Sequence, residues 1–256
     1  MFNTAKRREL IIDQLCREGV VRVEPLSRQF GVSTVTIRSD LRHLEKCGCA
    51  VRAYGGATLN KQFVFDRPLQ DKGRINRDVK YSIACAASAL INDGDAVILD
   101  SGSTTSLMAQ QMMGKKDLVV MTNALNIAFE LANNQQVDLM VVGGSVRRKS
   151  WSLYGAAAEQ HIRQYRFDKL FLGVDGFDLT NGITTPDAGE AQLNRAMCDV
   201  AREVIALADA SKFNRTSFCM IREIGQIQHL VTDSSIPQDY LHALYDLGVD
   251  VIIADR

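Results

Sequence analysis

The sequence of 256 residues has only four prolines and one tryptophan, and its formal net charge is zero. Its longest apolar runs are far shorter than the roughly 20 residues of a transmembrane helix, which excludes a helical membrane protein. Examples cover residues 96–99, 118–121 and 139–142, and no uninterrupted apolar run exceeds five residues. Hydrophobic residues make up 46% and charged residues 23% of the chain, a composition that excludes disordered and low-complexity proteins.

The six cysteines form no CxxC pair and show none of the spacings of small disulfide-rich domains. The four histidines are equally scattered and show no metal-ligand spacing, so we expect no metal and no cofactor. The first residues lack the continuous apolar core and cleavage site of a secretory signal. A reducing cytoplasmic location is therefore expected.

The zero net charge conceals a difference between the two ends of the chain. The first 59 residues hold ten basic and six acidic side chains, so they carry +4 and the remainder carries −4. A small basic module joined to a larger acidic one indicates nucleic-acid binding at one end.

The first 59 residues show the element order of a winged helix-turn-helix domain. Helices are predicted over residues 4–18, 24–30 and 34–47. A short strand is predicted over residues 20–23, and a terminal hairpin over residues 50–59. Ser33 is a suitable N-cap for the third helix. Ile37, Leu41 and Leu44 repeat at i, i+4 and i+7 along it, so they are expected to face the core.

The opposite face of the third helix carries side chains suited to reading DNA. An α-helix fits the major groove of B-DNA, and its N-terminal residues reach the base edges. The outward residues offer hydroxyls, an apolar tip and two guanidinium groups, and they are Thr34, Val35, Arg38, Ser39 and Arg42.

Other polar groups of this module are placed to contact phosphates. Ser33 and the first backbone N–H groups of the third helix can hold one phosphate. Contacts to the flanking DNA backbone are predicted for Lys6, Arg7, Arg8, Arg52 and Tyr54, the last two from the wing. The alternative is a protein-binding module whose basic face is simply solvated.

The stretches RRELIIDQL, GVSTVTIRSDLRHLEKCG and VRAYGGA resemble the N-terminal domain of the DeoR family of bacterial transcriptional regulators. The family pattern is Ser/Thr-x-x-Thr-Ile/Val-Arg-x-Asp-Leu followed by a Gly-Gly wing. It is carried here by Ser33, Thr36, Ile37, Arg38, Asp40, Leu41, Gly55 and Gly56. This resemblance implies DNA binding and includes Thr36 among the contacting residues.

The rest of the chain is predicted to form a linker over residues 60–75 and an effector domain over residues 76–256. Strand-like runs alternate with helical segments through the second part, which predicts an α/β domain with a mostly parallel sheet. The runs cover residues 96–99, 118–121, 137–142, 169–174, 203–208, 229–231 and 249–253.

Small, hydroxylated or charged residues follow five of these strands, where α/β sheets bind ligands. The candidate effector-binding residues are Asp100, Ser101, Gly102, Ser103, Thr104, Thr105, Thr122, Asn123, Gly143, Gly144, Arg147, Arg148, Asp175, Gly176, Thr184, Thr185 and Lys212. Hydroxyls and carboxylates would hold sugar hydroxyl groups, while the Ser/Thr turn and the cations would hold a phosphate.

Structural roles are an alternative at several of these positions. Arg147 and Arg148 belong to a basic run that is equally consistent with a solvated or interface surface. Asp100, Thr122 and Asn123 are also suited to capping the helices that follow them.

The second module also resembles the DeoR family, in its sensor domain, with the stretches LDSGSTT, MTNALN, VGGSVRRKSWSLYG, FDKLFLGVDGFDLTNGITT and LADASKFN. The resemblance is closest to regulators of amino-sugar and hexitol catabolism. That sensor domain is similar to ribose-5-phosphate isomerase and related sugar-phosphate enzymes, which implies an isomerase-like fold. The isomerases carry a Lys-Gly-Gly run before a catalytic glutamate; here Glu190 is present without the lysine, which implies effector binding without turnover.

These observations predict a DNA-binding transcriptional regulator, a repressor of an amino-sugar or hexitol operon that a phosphorylated sugar or sugar alcohol relieves. A dimer or tetramer is expected, because one winged helix reads only a short site. The alternatives are a sugar-phosphate isomerase-like enzyme and an architectural DNA-binding protein without an effector.

Overall fold

The computed structural model describes residues 3–46, 48–60, 64–112 and 114–254. Cys47, at the predicted end of the third helix, and residues 61–63 of the predicted linker lie outside the described residues. No helix in the described ranges combines the length and the apolar character that crossing a membrane demands.

The helices in these ranges are α1 (Thr4–Glu18), α2 (Val23–Phe30), α3 (Thr34–Lys46), α4 (Leu69–Arg74), α5 (Arg77–Ser88), α6 (Ser103–Gln110), α7 (Leu125–Leu131), α8 (Ala156–Ile162), α9 (Ala188–Val200) and α10 (Gln238–Asp246). The strands are β1 (Val20–Arg22), β2 (Ala50–Ala53), β3 (Gly56–Leu59), β4 (Ala96–Leu99), β5 (Leu118–Thr122), β6 (Val137–Val141), β7 (Ser145–Arg147), β8 (Ser152–Tyr154), β9 (Phe167–Gly173), β10 (Gly176–Asp178), β11 (Gly182–Thr185), β12 (Ala201–Leu207), β13 (Cys219–Arg222), β14 (His229–Asp233) and β15 (Asp250–Ala254).

The N-terminal elements form a winged helix-turn-helix, as the sequence predicts. Helices α1, α2 and α3 pack against a three-stranded antiparallel sheet in the order β1–β3–β2, and the β2–β3 hairpin is the wing. Helix α2 ends at Gly31, whose φ of 64° is in the left-handed region that glycine tolerates. Ile37, Leu41 and Leu44 are buried in the core of this domain, which confirms the predicted inward face of α3.

The second part of the chain is an α/β domain built on a seven-stranded sheet. The strand order is β15–β14–β12–β9–β4–β5–β6, and every adjacent pair is parallel. A separate hydrophobic cluster covers each face of the sheet, as the near-continuous apolar strands require. All seven strands coincide with the predicted runs to within a few residues.

The strand order creates one point where the chain reverses direction across the sheet. From β4 the chain proceeds outward through β5 and β6, then returns to β9 on the other side of β4 and proceeds outward again. The loops after β4 and β9 therefore lead away from each other and leave a crevice at the carboxyl ends of these strands. This topological switch point is where open α/β sheets bind ligands.

Two features differ from the predicted organisation. The segment expected to be a linker without periodicity contains the six-residue helix α4, which is too short to show a helical repeat. Two small antiparallel sheets, β7–β8 and β10–β11–β13, stand beside the main sheet. Their strands are only three or four residues long, so they leave no alternation to recognise.

Candidate DNA-binding surface and ligand pocket

The predicted DNA-contacting residues of α3 lie on one accessible face of the helix. Val35 is 70% exposed, and Arg38, Ser39 and Arg42 are also exposed. Thr34 is half-buried on the same N-terminal half of the helix. The domain core holds the opposite side, so this face is accessible to a duplex.

Ser33 caps α3 in the predicted way. The Thr36 backbone N–H donates to Ser33 Oγ at 3.1 Å, and Ser33 Oγ lies 2.9 Å from Thr36 Oγ1. These bonds satisfy one N–H group of the first helical turn, which has no acceptor within the helix itself.

The wing lies next to the recognition helix. Tyr54 is fully exposed at the tip of the β2–β3 hairpin. Arg52 Nη1 donates to the carbonyl oxygen of Arg38 at 3.3 Å, which ties the wing to α3. The wing and the helix therefore present a continuous surface.

The structure corrects the predicted role of Arg7. Its side chain is buried, with 6% exposure, and Arg7 Nε lies 2.6 Å from Asp40 Oδ2. Arg8 Nε lies 2.9 Å from the other oxygen of the same carboxylate. Arg7 therefore fixes α1 against α3, whereas Arg8 remains partly exposed and Lys6 exposed.

In the α/β domain, a polar cleft opens at the switch point between β4 and β9. Nine of the predicted effector residues line it: Asp100, Ser101, Gly102, Ser103, Thr104, Asp175, Thr185, Glu190 and Lys212. The cleft is thus built from the β4–α6 loop, the β9–β10 loop, the β11 end, the start of α9 and the turn after β12.

Three threonines of the predicted site lie outside the cleft, and the hydroxyl group of each forms a hydrogen bond with the backbone. Thr105 Oγ1 donates to the Gly102 carbonyl at 3.1 Å, and Thr122 Oγ1 donates to the Leu99 carbonyl at 2.7 Å. Thr184 Oγ1 accepts from the backbone of a neighbouring loop at 2.9 Å. These bonds hold the loops in place, and none of the three side chains is among those that line the cleft.

Three predicted glycines also lie outside the cleft. A Cβ on Gly144 would come within 2.4 Å of a backbone oxygen of β8, and one on Gly176 within 2.9 Å of the Arg215 carbonyl. These two glycines permit close chain packing, and Gly143 is exposed beside them. None of the three is a ligand-lining position.

The remaining predicted residues outside the cleft are polar. Asn123 is buried behind the cleft, and its Nδ2 lies 3.5 Å from Ser101 Oγ. Arg148 is exposed and is not among the residues that line the cleft. Arg147 stands beside the cleft and contacts it through Glu190, with Nη1 3.3 Å from Glu190 Oε1.

Two lysines that the sequence analysis overlooked line the cleft. Lys72 comes from α4, inside the predicted linker, and Lys80 comes from α5. Lys80 is only 2% exposed and shares a helix face with Ile83, Ala84 and Ala87. A lysine on an apolar face is rarely buried without a partner, so this spacing was a usable signal.

Lys72 forms an ion pair across the cleft. Its Nζ lies 2.6 Å from Asp175 Oδ1, and Thr185 Oγ1 donates to the other oxygen of that carboxylate at 3.3 Å. Burial acts to lower the pKa of Lys72, but the charge and hydrogen bond of Asp175, together with the charges of Glu190 and Asp66, outweigh it and the pKa is raised. Burial acts to raise the pKa of Asp175, but Lys72 and Lys212 outweigh it and the pKa is lowered. Both groups are therefore charged at neutral pH.

Lys80 stands in a more cationic environment. Its Nζ donates to the Lys72 carbonyl at 2.6 Å. Burial and, to a smaller extent, the charge of Lys212 lower the pKa of Lys80 to about 8, while the carboxylate of Asp209 partly opposes this shift. An anion bound beside Lys80 and Lys212 would compensate these charges.

Asp100, in contrast, is a buried carboxyl group that forms no ion pair with the lysines and arginines in the described ranges. Burial raises its pKa to about 7, and the charge of Glu190 adds to this shift, while a hydrogen bond from Asn194 opposes it. At neutral pH Asp100 is partly protonated and can donate or accept a hydrogen bond, as sugar hydroxyls require.

Glu190 is held in place by three donors on one oxygen. Its Oε1 accepts from Ser150 Oγ at 2.6 Å, from Ser152 Oγ at 2.7 Å and from Arg147. No group of three His, Cys, Asp or Glu side chains that could hold a metal ion occurs in the described ranges. The cleft is suited to a small polar anion that carries hydroxyl groups.

Comparison with known protein families gives a match over both parts of the chain. The DeoR-like helix-turn-helix domain matches residues 7–63, and the DeoR C terminal sensor domain matches residues 75–234. The chain belongs to the DeoR family. It is therefore a DNA-binding transcriptional regulator, and the enzyme alternative is set aside because its relatives are named as regulators.

Three named transcriptional repressors are similar to this DeoR-family regulator over nearly their whole length. A protein of Escherichia coli O157:H7 named as an aga operon transcriptional repressor is 46% identical, over 98% of this chain and 94% of that protein. Transcriptional repressor AccR of Agrobacterium fabrum is 34% identical over 91% and 92% of the two chains. HTH-type transcriptional repressor GlcR of Bacillus subtilis is 32% identical over 96% and 95%.

Solved structures also resemble the DeoR-family regulator in part. Ribose 5-phosphate isomerase A of Methanocaldococcus jannaschii matches at 18% identity and a TM-score of 0.39, over 54% of this chain and 55% of that one. The probable sor operon regulator of Shigella flexneri matches at 11% identity and a TM-score of 0.38, over 67% and 85%.

Proposed function

We propose that this DeoR-family regulator represses an amino-sugar or hexitol catabolic operon, and that a phosphorylated sugar or sugar alcohol bound in the cleft relieves repression. Relatives named as transcriptional repressors, one of them of the aga operon, support the regulatory part of the proposal. Because both DNA and phosphorylated sugars are cytoplasmic, the protein would act there.

The effector part of the proposal is carried by the arrangement of charges at the switch point. Lys80 and Lys212 line the same cleft as Ser103 and Thr104, the first residues of α6. Free N–H groups at a helix N-terminus and two ammonium groups form an anion site. The phosphate of the ligand would lie there.

The opposite side of the cleft would hold the hydroxyl groups of the ligand. Asp100, Glu190 and Asn194 line it, and together they offer both donors and acceptors. A phosphate at one end and several hydroxyls at the other describe a sugar phosphate better than a free sugar or a nucleotide base.

On the DNA side, we propose that a symmetric dimer or tetramer places two winged helices on one operator. The residues proposed to contact bases or phosphates are Arg8, Ser33, Thr34, Val35, Thr36, Arg38, Ser39, Arg42, Arg52 and Tyr54. Their grouping on α3, its N-terminus, the wing and the start of α1 supports this assignment.

Thermal unfolding with a panel of hexose 6-phosphates and the matching free hexoses tests the effector. A ligand at 100 times its Kd stabilises the native state by about 2.7 kcal/mol, so at least one phosphate should raise Tm while its free hexose does not. Lys212→Ala should abolish that shift, and binding should weaken above pH 8 as Lys80 loses its proton.

Two results would contradict this effector assignment. One is a panel in which no phosphorylated sugar stabilises the protein at millimolar concentration. The other is an equal shift from the free hexose, which would show that the cations of the cleft do not bind the phosphate.

A further inference from the structure

Glu190 has one oxygen directed to the protein and one left for the cleft. All three of its described side-chain hydrogen bonds go to Oε1. No described residue donates to Oε2, and Glu190 lines the cleft. A ligand hydroxyl that bound Glu190 would therefore find Oε2 available, on a carboxylate whose other oxygen accepts from Arg147.

Arg147 contacts two further carboxylates. Its Nη2 lies 2.7 Å from Asp66 Oδ2, and its Nε lies 3.2 Å from Asp187 Oδ2. Its side chain is nearly buried, so these contacts are only weakly screened by solvent. Because the guanidinium fork is rigid, a stronger contact with one carboxylate changes the geometry of the others.

Asp66 belongs to the segment that joins the two domains. Next to it, Phe65 packs against the hydrophobic core of the winged helix. Three residues further on, the Leu69 N–H donates to the Lys149 carbonyl at 2.8 Å, and Lys72 of the same segment lines the cleft. Residues 64–72, here named the connecting segment, thus touch both the DNA-binding core and the ligand cleft.

We propose that Arg147 and Asp66 are the positioning residues through which effector occupancy of the cleft changes the placement of the winged helix. This inference rests on the proposed function. A ligand hydroxyl that donates to Glu190 Oε2 draws negative charge away from Oε1, weakens the contact between Oε1 and Arg147, and thereby shifts the guanidinium contacts toward Asp66. The position of the connecting segment, and with it Phe65 and the winged helix, then differs between the free and the bound protein.

The coupling requires that the ligand bind the two placements with different affinity. The contacts above supply that difference, since Glu190 faces the ligand and Asp66 faces the domain junction through one shared arginine. Lys149 also lies 3.0 Å from Asp66, but its side chain is more than half exposed. An exposed pair of this kind contributes little, so Lys149 serves as an internal control.

The test compares Asp66→Asn with two controls, Asp71→Asn in the same segment and Lys149→Gln in the same cluster. The DNA is a duplex that the wild-type protein selects from a random pool. The ligand is the hexose 6-phosphate that gives the largest thermal shift. The measured quantity is the ratio of DNA affinities without and with that ligand.

The wild type and both controls should show a ratio within the 5–150-fold range of typical allosteric coupling. Asp66→Asn should reduce the ratio to less than about threefold while the ligand still raises Tm. Arg147→Lys, which retains the charge but not the fork, should also reduce it. A ratio in Asp66→Asn equal to that of the wild type would overturn the inference and leave the proposed function intact.

Hydrogen exchange of the free protein gives a second readout that needs no ligand. Asp66→Asn should speed exchange of the Leu69 amide by at least about tenfold relative to Asp71→Asn, since the connecting segment loses its contact with Arg147. Unchanged exchange would overturn the inference even if no sugar phosphate were to bind. The wild type could bind none of the sugar phosphates while Asp66→Asn still exchanges faster. That result would contradict the proposed effector and support the contact between Arg147 and the connecting segment.

Discussion

The DNA-binding surface and the ligand cleft expose their functional residues in opposite ways. Most of the proposed DNA contacts are residues of one helix, α3, and the core of that domain lies on the other side of this helix. The cleft residues come from several segments that are far apart in the sequence, and they are largely buried at one edge of a sheet. A continuous helix reveals its free face by periodicity, whereas a composite cleft is defined only by the fold.

The two regions also surround a buried carboxylate with different charges. Asp40 is enclosed by two arginines that neutralise it. Asp100 is as deeply buried but forms no ion pair with a described lysine or arginine, so its pKa is raised to about 7 by burial and by Glu190. Asp40 is therefore suited to holding two helices together, and Asp100 to meeting a ligand.

The largest effect is expected for Asp40→Ala. Removing one partner of a buried ion pair leaves the other charge uncompensated and costs about 3–5 kcal/mol. Arg7 would be that uncompensated charge. Urea unfolding measures the loss in the free energy of unfolding, and hydrogen exchange of the α3 amides shows whether α3 is destabilised. Asp13→Ala, an exposed change on α1, should stay within about 0.5 kcal/mol, and an equal loss in both variants would refute the role given to Asp40.

Asp100 should make stability fall as pH rises. Its pKa is 3.8 in the unfolded chain and about 7 in the folded one, so the native state binds more protons between these values. The free energy of unfolding therefore decreases from about pH 4 to pH 7 and is flat above. The difference in the free energy of unfolding between Asp100→Asn and the wild type should therefore increase by about 2–3 kcal/mol from pH 5 to pH 8, at about 1.36 kcal/mol per pH unit below the pKa.

Urea unfolding of both proteins at several pH values between 5 and 8 measures this difference. Parallel pH profiles for wild type and Asp100→Asn would show that Asp100 titrates normally. That result would remove the contrast with Asp40.

Arg38→Ala should weaken specific DNA binding by about 1–3 kcal/mol if the side chain reads a guanine. Unfolding should be unaffected, because Arg38 is exposed. Mobility-shift titration at fixed salt measures the loss, with Arg202→Ala in the α/β domain as a control. Undiminished affinity would remove Arg38 from the interface.

The smallest effect concerns the start of the recognition helix. Ser33→Ala removes the acceptor for the Thr36 N–H and should cost about 1 kcal/mol of stability. Ser33→Asp, another good N-cap, should restore it. Chemical unfolding measures both, and an unchanged midpoint for Ser33→Ala would contradict the cap.

The sequence predicted the repeating elements better than the site. Helices and strands with clear periodicity, from α1 to β15, lie where the pattern indicated. About half of the predicted effector residues line the cleft, because the loops that follow the parallel strands form it. Others, such as Thr122, form hydrogen bonds with the backbone instead. Lys72 and Asn194 were missed because a short helix and a helix interior have no local signal for a ligand.

By itself, the sequence determined the two-domain order, the inward face of α3 and the parallel strands, because hydrophobic periodicity and caps act over a few residues. Only the tertiary structure decided that Arg7 is buried on Asp40, that Lys72 and Lys80 enter the cleft, and that Arg147 joins Asp66 to Glu190. These contacts link residues that are distant along the chain, and their partners are selected by how the chain packs.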